Sequence, residues 1–500
     1  MPIEIVAVGN ALALWITGVL DFDQALAGFG DPVVVYIAAL FIVTNALEAT
    51  GLSVLAGQRL GAWSGSSALR LLVLTMVICA FLSALISVNA AVAALVPVAV
   101  VTAVRLHEAP SRLLMPLAFA GHAGSMLALT GAPKNIIVSE ASRDAGTGYF
   151  GFFEFALVGI PLLVGTVAIV VLVGHRLLPT RDAHHIDDDF RDHAATLLRH
   201  YGLDGSRAEP LYGEHSGVVE VVIRPRSQLI GETVFPGMVT ESGELVVLAV
   251  HRGGAPTGSE PTVLVAGDSL LLEGTWRALS NHLDDPDVLV VDSPDEVRRQ
   301  TAPFGRQAKL TLVIVVVMVA LLATGSVPPA AAALFAAGAL VLTRVVDLDE
   351  AYKSIPWNAV VLVAGMIPLA TAMTVSGAAD ELAERLVDIV GDAGPYPLLI
   401  GLFVLTAALG QLISNTATIL IVIPVALAAA AELDVSPRPV LMSLNVVASA
   451  AVLTPVATPA NLMVMGPGGY RFGDYARLGL PLLLWYFVAA VGLVPLIWRL

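Results

Sequence analysis

The chain has 500 residues, of which 57% are hydrophobic and 13% charged, and its formal net charge is −15. This composition is too apolar for a soluble two-domain protein and indicates a polytopic membrane protein. The single cysteine, Cys79, excludes disulfides within the chain and metal sites built from thiolates, and the acidic charge argues against a nucleic-acid partner.

The first third of the chain holds apolar stretches long enough to cross a bilayer, and none reads as a cleaved signal peptide. These spans lie at residues 4–20, 33–50 and 154–175. Between them, residues 71–104 carry a polar tip, in FLSALISVNAAVAALVPV, with about 16 apolar residues on either side, which is short for two full crossings. We predict a re-entrant hairpin with its tip at the protein centre, because hydrocarbon tolerates broken backbone only where protein or water satisfies it.

A second interruption follows the hairpin at LTGAPKN, from Leu129 to Asn135. Its glycine and proline predict a helix that breaks in mid-membrane. Unwinding exposes carbonyl oxygens, which suit a hard cation such as sodium, and the new helix N-terminus offers amide hydrogens to an anion. The sequence therefore predicts that a cation and an anion bind close together here.

The middle of the chain is polar and supplies much of the negative charge. After a linker at residues 179–215, the strands GVVEVVIRP, ELVVLAVHR and TVLVAGDSLLLEG predict a small α+β unit at residues 216–295, followed by a linker at residues 296–308. The end of this unit, from Ala266 through TWRALSNHL, resembles the C-terminal regulatory domain of potassium-conductance regulators, called TrkA-C or RCK-C. The resemblance implies dimerisation and the sensing of a small ligand. The segment AHHIDDDFRDH in the first linker is interpreted as a solvated linker rather than a metal site.

The last 200 residues repeat the first part of the chain at a spacing of 326 residues. ALWITGVLDFDQA from Ala13 returns as ALVLTRVVDLDEA from Ala339, and Asn135 of GAPKN falls on Asn461 of ATPAN. This agreement predicts two repeats, which we call copy 1 and copy 2. They lie at residues 1–178 and 309–500. Apolar spans of copy 2 lie at residues 309–325, 327–343, 358–375 and 479–497, with a second hairpin at 397–431 and a second break at 454–461.

The two copies are expected to face each other. An odd number of crossings per copy, about five in copy 2, would invert one copy relative to the other, which is the arrangement that supports alternating access. The stretch 309–325 has no counterpart, since its position in copy 1 would fall before Met1. Copy 1 is therefore predicted to lack its first helix, or else Met1 is not the true start.

The tip of the second hairpin, Ser414-Asn415-Thr416, is similar to the SNT signature of the divalent anion:sodium symporter family, and ATPAN is similar to that family's TPPN element. The resemblance covers nearly all of the apolar part. It implies a secondary active transporter for sulfate or a di- or tricarboxylate, coupled to sodium, working as an elevator-type homodimer. No enzymatic chemistry is implied.

The same resemblance implies binding residues. Residues expected to contact the substrate are Asn89, Lys134, Ser414, Asn415, Thr416 and Thr458. Residues expected to contact sodium are Ser87, Asn89 and Gly131 in copy 1, and Ser414, Asn415 and Ala457 in copy 2.

Copy 1 departs from the family pattern. Its tip reads Ser87-Val88-Asn89-Ala90, so the asparagine is displaced by one position and the threonine is missing, which favours a smaller anion such as sulfate. Lys134 stands where the family has an uncharged residue, and an unpaired charge near the bilayer centre costs roughly 2.5 to 3.5 kcal/mol. It either holds the anion, replaces one sodium, or extends along the helix to the membrane surface. His122 is interpreted as a packed neutral histidine, with a proton relay as the alternative.

Basic residues predict the orientation by the positive-inside rule. Alternate crossings place one group on the cytoplasmic side together with the N-terminus and the insert: Arg59, Arg70, Arg105, Arg112, Arg176, Arg181, Arg306, Lys309, Arg344, Lys353, Arg471 and Arg477. The opposite side holds Arg143, Arg385, Arg438 and Arg499.

Two other functions remain open from the sequence. One is a proton-coupled or arsenite-type anion exporter, because related architectures resemble this one and the first tip is degenerate. The other is a ligand-gated anion channel or sensor, in which the insert binds the regulatory ligand.

Overall fold

The computed structural model describes residues 3–50, 63, 67–106, 108–181, 216–240, 243–252, 255–256, 260–275, 278–279, 287–290, 306–390 and 394–500. The chain divides into two compact units. One is the helical unit, which contains Met1–Glu48, Leu55–His184 and Lys309–Leu500, and the other is the insert, which contains His185–Ala308 and the short segment Ala49–Val54.

Copy 1 of the helical unit consists of short and long apolar helices in an order that follows the sequence prediction. Its helices are α1 (Ile3–Ile16), α2 (Phe22–Leu26), α3 (Pro32–Ala49), α4 (Ala68–Leu85), α5 (Val88–Arg105), α6 (Leu114–Gly124), α7 (Pro133–Asp144) and α8 (Ala156–Leu177). Its 3-10 turns include Leu129–Gly131, between α6 and α7.

Copy 2 begins with an additional helix, α9 (Arg306–Thr324), and then repeats the order of copy 1. Its further helices are α10 (Pro329–Leu342), α11 (Leu348–Ser354), α12 (Trp357–Val375), α13 (Ala378–Val390), α14 (Pro395–Leu409), α15 (Asn415–Glu432), α16 (Pro437–Ala448), α17 (Pro459–Met465) and α18 (Phe472–Phe487), which continues as a π-helix (Val488–Leu493) into α19 (Val494–Ile497). The second break has its own 3-10 turn, Pro455–Ala457.

The turns after α1 and α10 show how closely the copies agree. Thr17 Oγ1 donates to the carbonyl four residues earlier at 2.8 Å, and Thr343 Oγ1 does the same at 2.7 Å. The next residue is left-handed in both copies, with φ of 73° at Gly18 and 56° at Arg344. A non-glycine residue rarely adopts this conformation, so copy 2 keeps the turn despite its cost. The repeat predicted from the sequence is therefore a repeat of backbone structure.

Helices α4 and α5 form the first hairpin. Leu71 near the start of α4 and Ala103 near the end of α5 lie in one buried apolar cluster with Leu113, so the open ends of the two arms lie together. In copy 2, the corresponding helices α14 and α15 also contact each other.

The tip of each hairpin lies beside the break in a broken helix. In copy 1, Thr130 Oγ1 donates to the carbonyl of Ala84 at 3.1 Å. In copy 2, Gln411 Nε2 donates to the carbonyl of Ala450 at 3.3 Å, and its Oε1 accepts from the amide of Leu453 at 3.2 Å. Since the breaks lie between two half-helices, the tips stop part of the way through the helical unit, as expected for re-entrant hairpins.

Seven helices are long and apolar enough to cross a membrane among the described residues. They include α4 and α15, which are arms of the hairpins and reach 18 residues each, longer than the sequence suggested. Conversely, α1 and α10 have 14 residues each, fewer than the predicted spans at 4–20 and 327–343. Turns at Thr17 and Thr343 end these two helices early.

One arginine from each of the two predicted groups lies near each end of α8. Beyond its C-terminus, Arg181 pairs with Asp474 at 2.8 Å. Just before its N-terminus, Glu154 pairs with Arg438 at 2.8 Å and accepts from Trp498 Nε1 at 2.7 Å. Helix α8 has 22 residues and is thus about 33 Å long, so the two pairs lie near opposite ends of the helical unit.

The insert is built on a five-stranded antiparallel sheet in the order β4-β3-β6-β1-β7. Its strands are β1 (Ser216–Ile223), β2 (Thr233–Val234), β3 (Leu245–Arg252), β4 (Ala255–Pro256), β5 (Thr262–Val263), β6 (Ser269–Thr275) and β7 (Val288–Val290), and β2 pairs with β5 in a separate ribbon. The predicted helix TWRALSNHL lies largely outside the described residues, as do both linkers apart from their outermost residues.

A buried carboxylate fixes the turn before β6. Arg252 Nε and Nη2 donate to the two oxygens of Asp268 at 2.8 and 2.6 Å, and the Val265 amide donates to the same carboxylate. The guanidinium beside it holds the pKa of Asp268 below its ordinary value. Gly267 supplies the left-handed residue of this turn, with φ of 88°.

Candidate functional site

Both predicted breaks are present, and proline defines them. The turns Leu129–Gly131 and Pro455–Ala457 interrupt the helices, and Pro133 and Pro459 begin the next half-helices at the first position, where the missing N–H costs least. Each break leaves backbone carbonyls without helical partners, and these must be satisfied because they are buried.

An asparagine in the first turn of each second half-helix satisfies these carbonyls in the same way. Asn135 Nδ2 donates to the carbonyls ten and seven residues earlier at 2.8 and 2.9 Å. Asn461 Nδ2 donates to the carbonyls ten and seven residues earlier at 2.7 and 3.0 Å. Both side chains are fully buried. Because both N–H groups donate to carbonyls, the orientation of each amide is fixed, and its acceptor Oδ1 points to a group from the other copy.

Lys134 lies in the centre of the copy 1 site. Its side chain is 3% exposed, so it does not extend to the membrane surface. Its Nζ lies 3.0 Å from Asn445 Oδ1, 3.3 Å from the Asn445 carbonyl, 3.2 Å from Asn135 Oδ1 and 3.3 Å from Met126 Sδ. Asn445 also donates its Nδ2 to Asn135 Oδ1 at 2.9 Å. Among the described residues, no carboxylate pairs with this lysine, and its partners are neutral acceptors.

His122 makes the corresponding contact to copy 2. Its Nε2 lies 3.0 Å from Asn461 Oδ1 and 3.2 Å from Thr458 Oγ1. Since Asn461 Oδ1 can only accept, Nε2 must carry a proton, which fixes the tautomer. The Thr458 hydroxyl also accepts from the Asn461 amide at 3.3 Å. With both contacts made to its oxygen, its own proton is available to a further acceptor.

The hairpins and half-helices exchange contacts between copies. The second arm of hairpin 1, α5, contacts α17 of copy 2, and the second arm of hairpin 2, α15, contacts α7 of copy 1. The first arms, α4 and α14, contact α6 and α16 of their own copies. This reciprocal pattern is that of an inverted repeat around one central site.

Serine caps the second arm of each hairpin. Ser87 Oγ accepts from the amide three residues later at 3.2 Å, and Ser414 Oγ does so at 3.3 Å. A helix proline, Pro97 or Pro424, follows ten residues after each cap. The caps, rather than the 326-residue spacing, therefore give the structural register of the tips.

In this register, Val88 occupies the position of Asn415, and Asn89 occupies the position of Thr416. Asn89 is exposed, and Asn415 and Thr416 are half-buried. The amide oxygen of Asn415 is itself buried and has no hydrogen-bond partner among the described residues. The displaced asparagine noted in the sequence is thus equivalent in position to Thr416 of copy 2.

The remaining expected ligands lie at the breaks. Gly131 and Ala457 are buried in the two 3-10 turns. A Cβ at Gly131 would come within 2.2 Å of the Ser125 carbonyl oxygen, so the turn requires glycine. In copy 2, the hydroxyl of Thr454, just before the turn, is buried and unpartnered within the described part of the chain.

Several groups at the centre are not marked by the sequence patterns described above. Asn445 and Met126 were not recognised, and Asn135 and Asn461 were seen as matching positions but not as clamps of the breaks. A signal was available for Asn445, because it is the one amide within the apolar sequence VLMSLNVVA.

A polar centre enclosed by paired hairpins and broken helices defines a multi-pass membrane transporter. The chain belongs to the citrate transporter family (CitMHS), whose model matches residues 1–418 and 384–500.

Two relatives and one solved structure are similar to this chain. The uncharacterised transporter YfbS of Escherichia coli (strain K12) is 32% identical over 587 aligned residues, covering 99% of this chain and 95% of that protein. Sodium/sulfate cotransporter 1 of Chlamydomonas reinhardtii is 26% identical over 279 residues, covering 55% of this chain and 32% of that protein. The crystal structure of the Alcanivorax borkumensis YdaH transporter matches with a TM-score of 0.51 and 14% identity over 99% of this chain and 98% of that one, which shows a shared fold.

Proposed function

We propose that the protein is a secondary active transporter that moves a small divalent anion, sulfate or a di- or tricarboxylate, together with sodium. The observation that carries the proposal is the buried side chain of Lys134 between two broken helices, paired with no carboxylate of the described residues. A fixed positive charge away from water attracts an anion strongly, because the surrounding medium screens it weakly. The family membership and the sodium/sulfate relative support the same substrate class.

A sodium site in copy 2 would use the oxygens that lack partners. Asn415 Oδ1 and Thr454 Oγ1 are buried acceptors without hydrogen bonds among the described residues, and a hard cation satisfies such atoms. Ser414 and the backbone of Ala457 are proposed to complete the site. Gln411 anchors this hairpin tip to residues 450–453, next to Thr454.

The anion would bind on the adjoining polar surface. Thr458 can donate its hydroxyl proton, as its oxygen already accepts from Asn461 and lies beside His122. Thr416 and Asn89, equivalent by their helix caps, would face the anion from the two tips. One donor from each hairpin tip would then contact the same anion. Ser87, Gly131 and Lys134 would lie on the copy 1 side of that anion.

We further propose an elevator-type mechanism in a homodimer. The hairpins and broken helices form one contacting group, which would move as a body and carry the site from one side of the membrane to the other. Mass photometry of the purified protein tests the dimer, for which a mass of twice 52.0 kDa is expected. A monomer under conditions that support transport would contradict it.

The orientation is proposed from the arginine pattern, with the N-terminus and insert in the cytoplasm of a cell whose plasma (inner) membrane holds the protein. Cys79, the only cysteine, is buried and can be replaced by serine. An impermeant thiol reagent applied outside intact cells should then label Asp144→Cys but leave Arg477→Cys unlabelled. The reverse pattern would invert the proposed topology.

The insert is proposed to be a TrkA-C-like regulatory domain that binds a small ligand and promotes dimerisation. Replacing residues 216–290 by a flexible linker should leave transport in proteoliposomes and weaken the dimer on dilution. Loss of all uptake from a correctly inserted deletion protein would show that the insert is part of the transport machinery.

Uptake into proteoliposomes tests the main proposal. Labelled sulfate, succinate and citrate are supplied with an inward sodium gradient or with choline in its place, and empty liposomes serve as the blank. Saturable uptake of at least one anion, stimulated by sodium and reduced in Asn415→Ala, is expected. Stimulation by a proton gradient alone would indicate the proton-coupled alternative, and flux that does not saturate would indicate a channel.

A further inference from the structure

Copy 1 lacks the oxygens that make copy 2 suitable for sodium. The position of Asn415 is occupied by Val88, as judged from the serine caps, and the position of Thr454 is occupied by Ala128. Ala128 is buried and Val88 half-buried. The two side-chain oxygens that are buried without partners in copy 2 therefore have apolar counterparts in copy 1.

Copy 1 instead has a charge of its own. Lys134 occupies the position of Ala460. The Nδ2 groups of Asn135 and Asn445 donate elsewhere, which orients both amides with their oxygens towards Nζ. Three oxygens and one sulfur, all of them acceptors, surround Nζ at 3.0 to 3.3 Å. Such a cage can accept all three N–H donors of an ammonium group.

We propose that Lys134 is a built-in cation that takes the place of a coupling sodium ion in copy 1, so that sodium binds only at the copy 2 site. This inference rests on the sodium-coupled function proposed above and narrows it. Ser87, Asn89 and Gly131 then shape the anion side of the cavity and do not hold a second ion.

A tethered cation changes the charge that is transported. Lys134 moves with the protein in both halves of the cycle, so it neutralises the bound anion without being released. One sodium ion with one divalent anion carries one net negative charge inward per cycle, whereas two sodium ions would make the cycle electroneutral. A membrane potential acts only on the first of these.

The wild-type protein provides the first test. Initial uptake of labelled sulfate or succinate, whichever is transported, is measured against external sodium at potentials clamped with potassium and valinomycin. We expect a Hill coefficient for sodium of about 1, since it cannot exceed the number of sites. Uptake should be faster with the inside positive. A coefficient near 2 with uptake that is independent of potential would overturn the inference but leave sodium coupling standing. Uptake that does not depend on external sodium would overturn both the inference and the proposed sodium coupling.

The second test exchanges the residues at positions 134 and 460 between the copies and adds a control variant that keeps the charge. Lys134→Ala gives copy 1 the residue of copy 2 and frees the acceptors around Nζ, so sodium dependence should become steeper and the effect of potential should disappear. Lys134→Arg keeps the charge and should keep the wild-type slope. Ala460→Lys places a second ammonium in copy 2 and should abolish sodium stimulation. An unchanged slope and potential response in Lys134→Ala would overturn the proposal.

Sodium binding without transport provides the third readout. The melting temperature of the purified protein is measured in sodium chloride and in choline chloride, because a ligand that binds only the folded state raises it. If copy 2 holds the single site, Asn415→Ala should need about tenfold more sodium than the wild type for the same rise. A part of the rise that keeps the wild-type sodium midpoint in Asn415→Ala would reveal a second sodium site and overturn the proposal.

Discussion

Copy 1 and copy 2 each close a mid-helix break with one asparagine, which donates to the carbonyls ten and seven residues earlier. Around these two equal clamps the chemistry differs. Copy 2 presents Asn415 Oδ1 and Thr454 Oγ1 as buried oxygens without partners in the described structure, whereas copy 1 presents Val88, Ala128 and the ammonium of Lys134.

The difference separates two roles within one repeat. Groups that satisfy the broken backbone are the same in both copies, because each break leaves the same carbonyls unpaired. The groups that we propose to face the ions and the anion differ between the copies. The repeat therefore keeps the residues that close the breaks and varies the residues around them.

The largest expected effect comes from removing a clamp. Asn461→Ala leaves the carbonyls of Ala451 and Thr454 unpaired. Asn135→Ala leaves the Ser125 carbonyl and the Nδ2 group of Asn445 without that partner, whereas the Ala128 carbonyl keeps the amide of Gly131. Each variant should lower the free energy of unfolding by about 3 kcal/mol or more and abolish transport. A thiol-reactive dye can follow unfolding through Cys79, which is buried in the folded protein.

The exposed Asn358 provides the control, since Asn358→Ala removes only a local contact on the surface. If only one of the two clamp variants were destabilised, the copies would not be equivalent even as scaffolds.

The second-largest effect is expected from the hydrogen bonds that join copy 1 to copy 2. His122→Ala removes the donor to Asn461 Oδ1, and Asn445→Ala removes the donor to Asn135 Oδ1. His122→Ala should cost about 2 kcal/mol of unfolding free energy, measured by the same dye, because Asn461 Oδ1 is left as an unpaired buried acceptor. Asn445→Ala should cost about as much, because Lys134 Nζ loses its acceptor Asn445 Oδ1, although Asn135 Oδ1 keeps its contact with Nζ. His122→Gln retains an N–H donor and should recover most of the loss. A full loss in the glutamine variant would indicate that the imidazole has a chemical role of its own.

The unpartnered oxygens sharpen the comparison further. Asn415→Ala or Thr454→Ala should weaken the apparent sodium affinity about tenfold, which corresponds to about 1.4 kcal/mol. Sodium titration of uptake in proteoliposomes measures the change. Thr406→Ala is the matched control, because its hydroxyl is also buried and unpartnered within the described residues but lies inside α14. Equal effects of Thr454 and Thr406 would remove the argument for a sodium site.

The smallest expected effects concern the anchors of the hairpin tips. Thr130→Val removes one hydrogen bond to hairpin 1, and Gln411→Ala removes two contacts of hairpin 2 with its break. We expect about 1 kcal/mol from each lost bond. Gln411→Ala should therefore loosen its tip more, which hydrogen exchange at residues 410–416 and 84–90 can compare. A looser first hairpin would reverse this order.

Much of the architecture could be predicted from the sequence because it depends on local signals. The paired sequences ALWITGVLDFDQA and ALVLTRVVDLDEA revealed the repeat, and the polar residues within apolar runs located the tips and the breaks. Proline and glycine mark breaks by removing a donor or permitting an unusual backbone, which are properties of single residues. The separate grouping of Arg181 and Arg438 also followed, since it depends only on the number of crossings.

The hydrogen bonds at the centre of the helical unit could not be predicted from the sequence. Spacing aligned Asn135 with Asn461 but gave no indication that both donate to backbone carbonyls. Asn445 lies more than 300 positions from its partners, so no local pattern pairs it with Lys134. The repeat spacing also aligned the two hairpin tips incorrectly. The helix caps at Ser87 and Ser414 determine which residues of the tips are equivalent.

The sequence by itself determined that this chain is a duplicated membrane protein with two polar tips, two broken helices and a lysine in one of the breaks. Only the tertiary structure decided that the Lys134 ammonium is buried among neutral acceptors instead of reaching the membrane surface, and that His122 and Asn445 join the copies. The reason is physical. Helix breaks and caps are set by neighbours in the chain, whereas the partner of a buried charge is set by which distant helix packs against it.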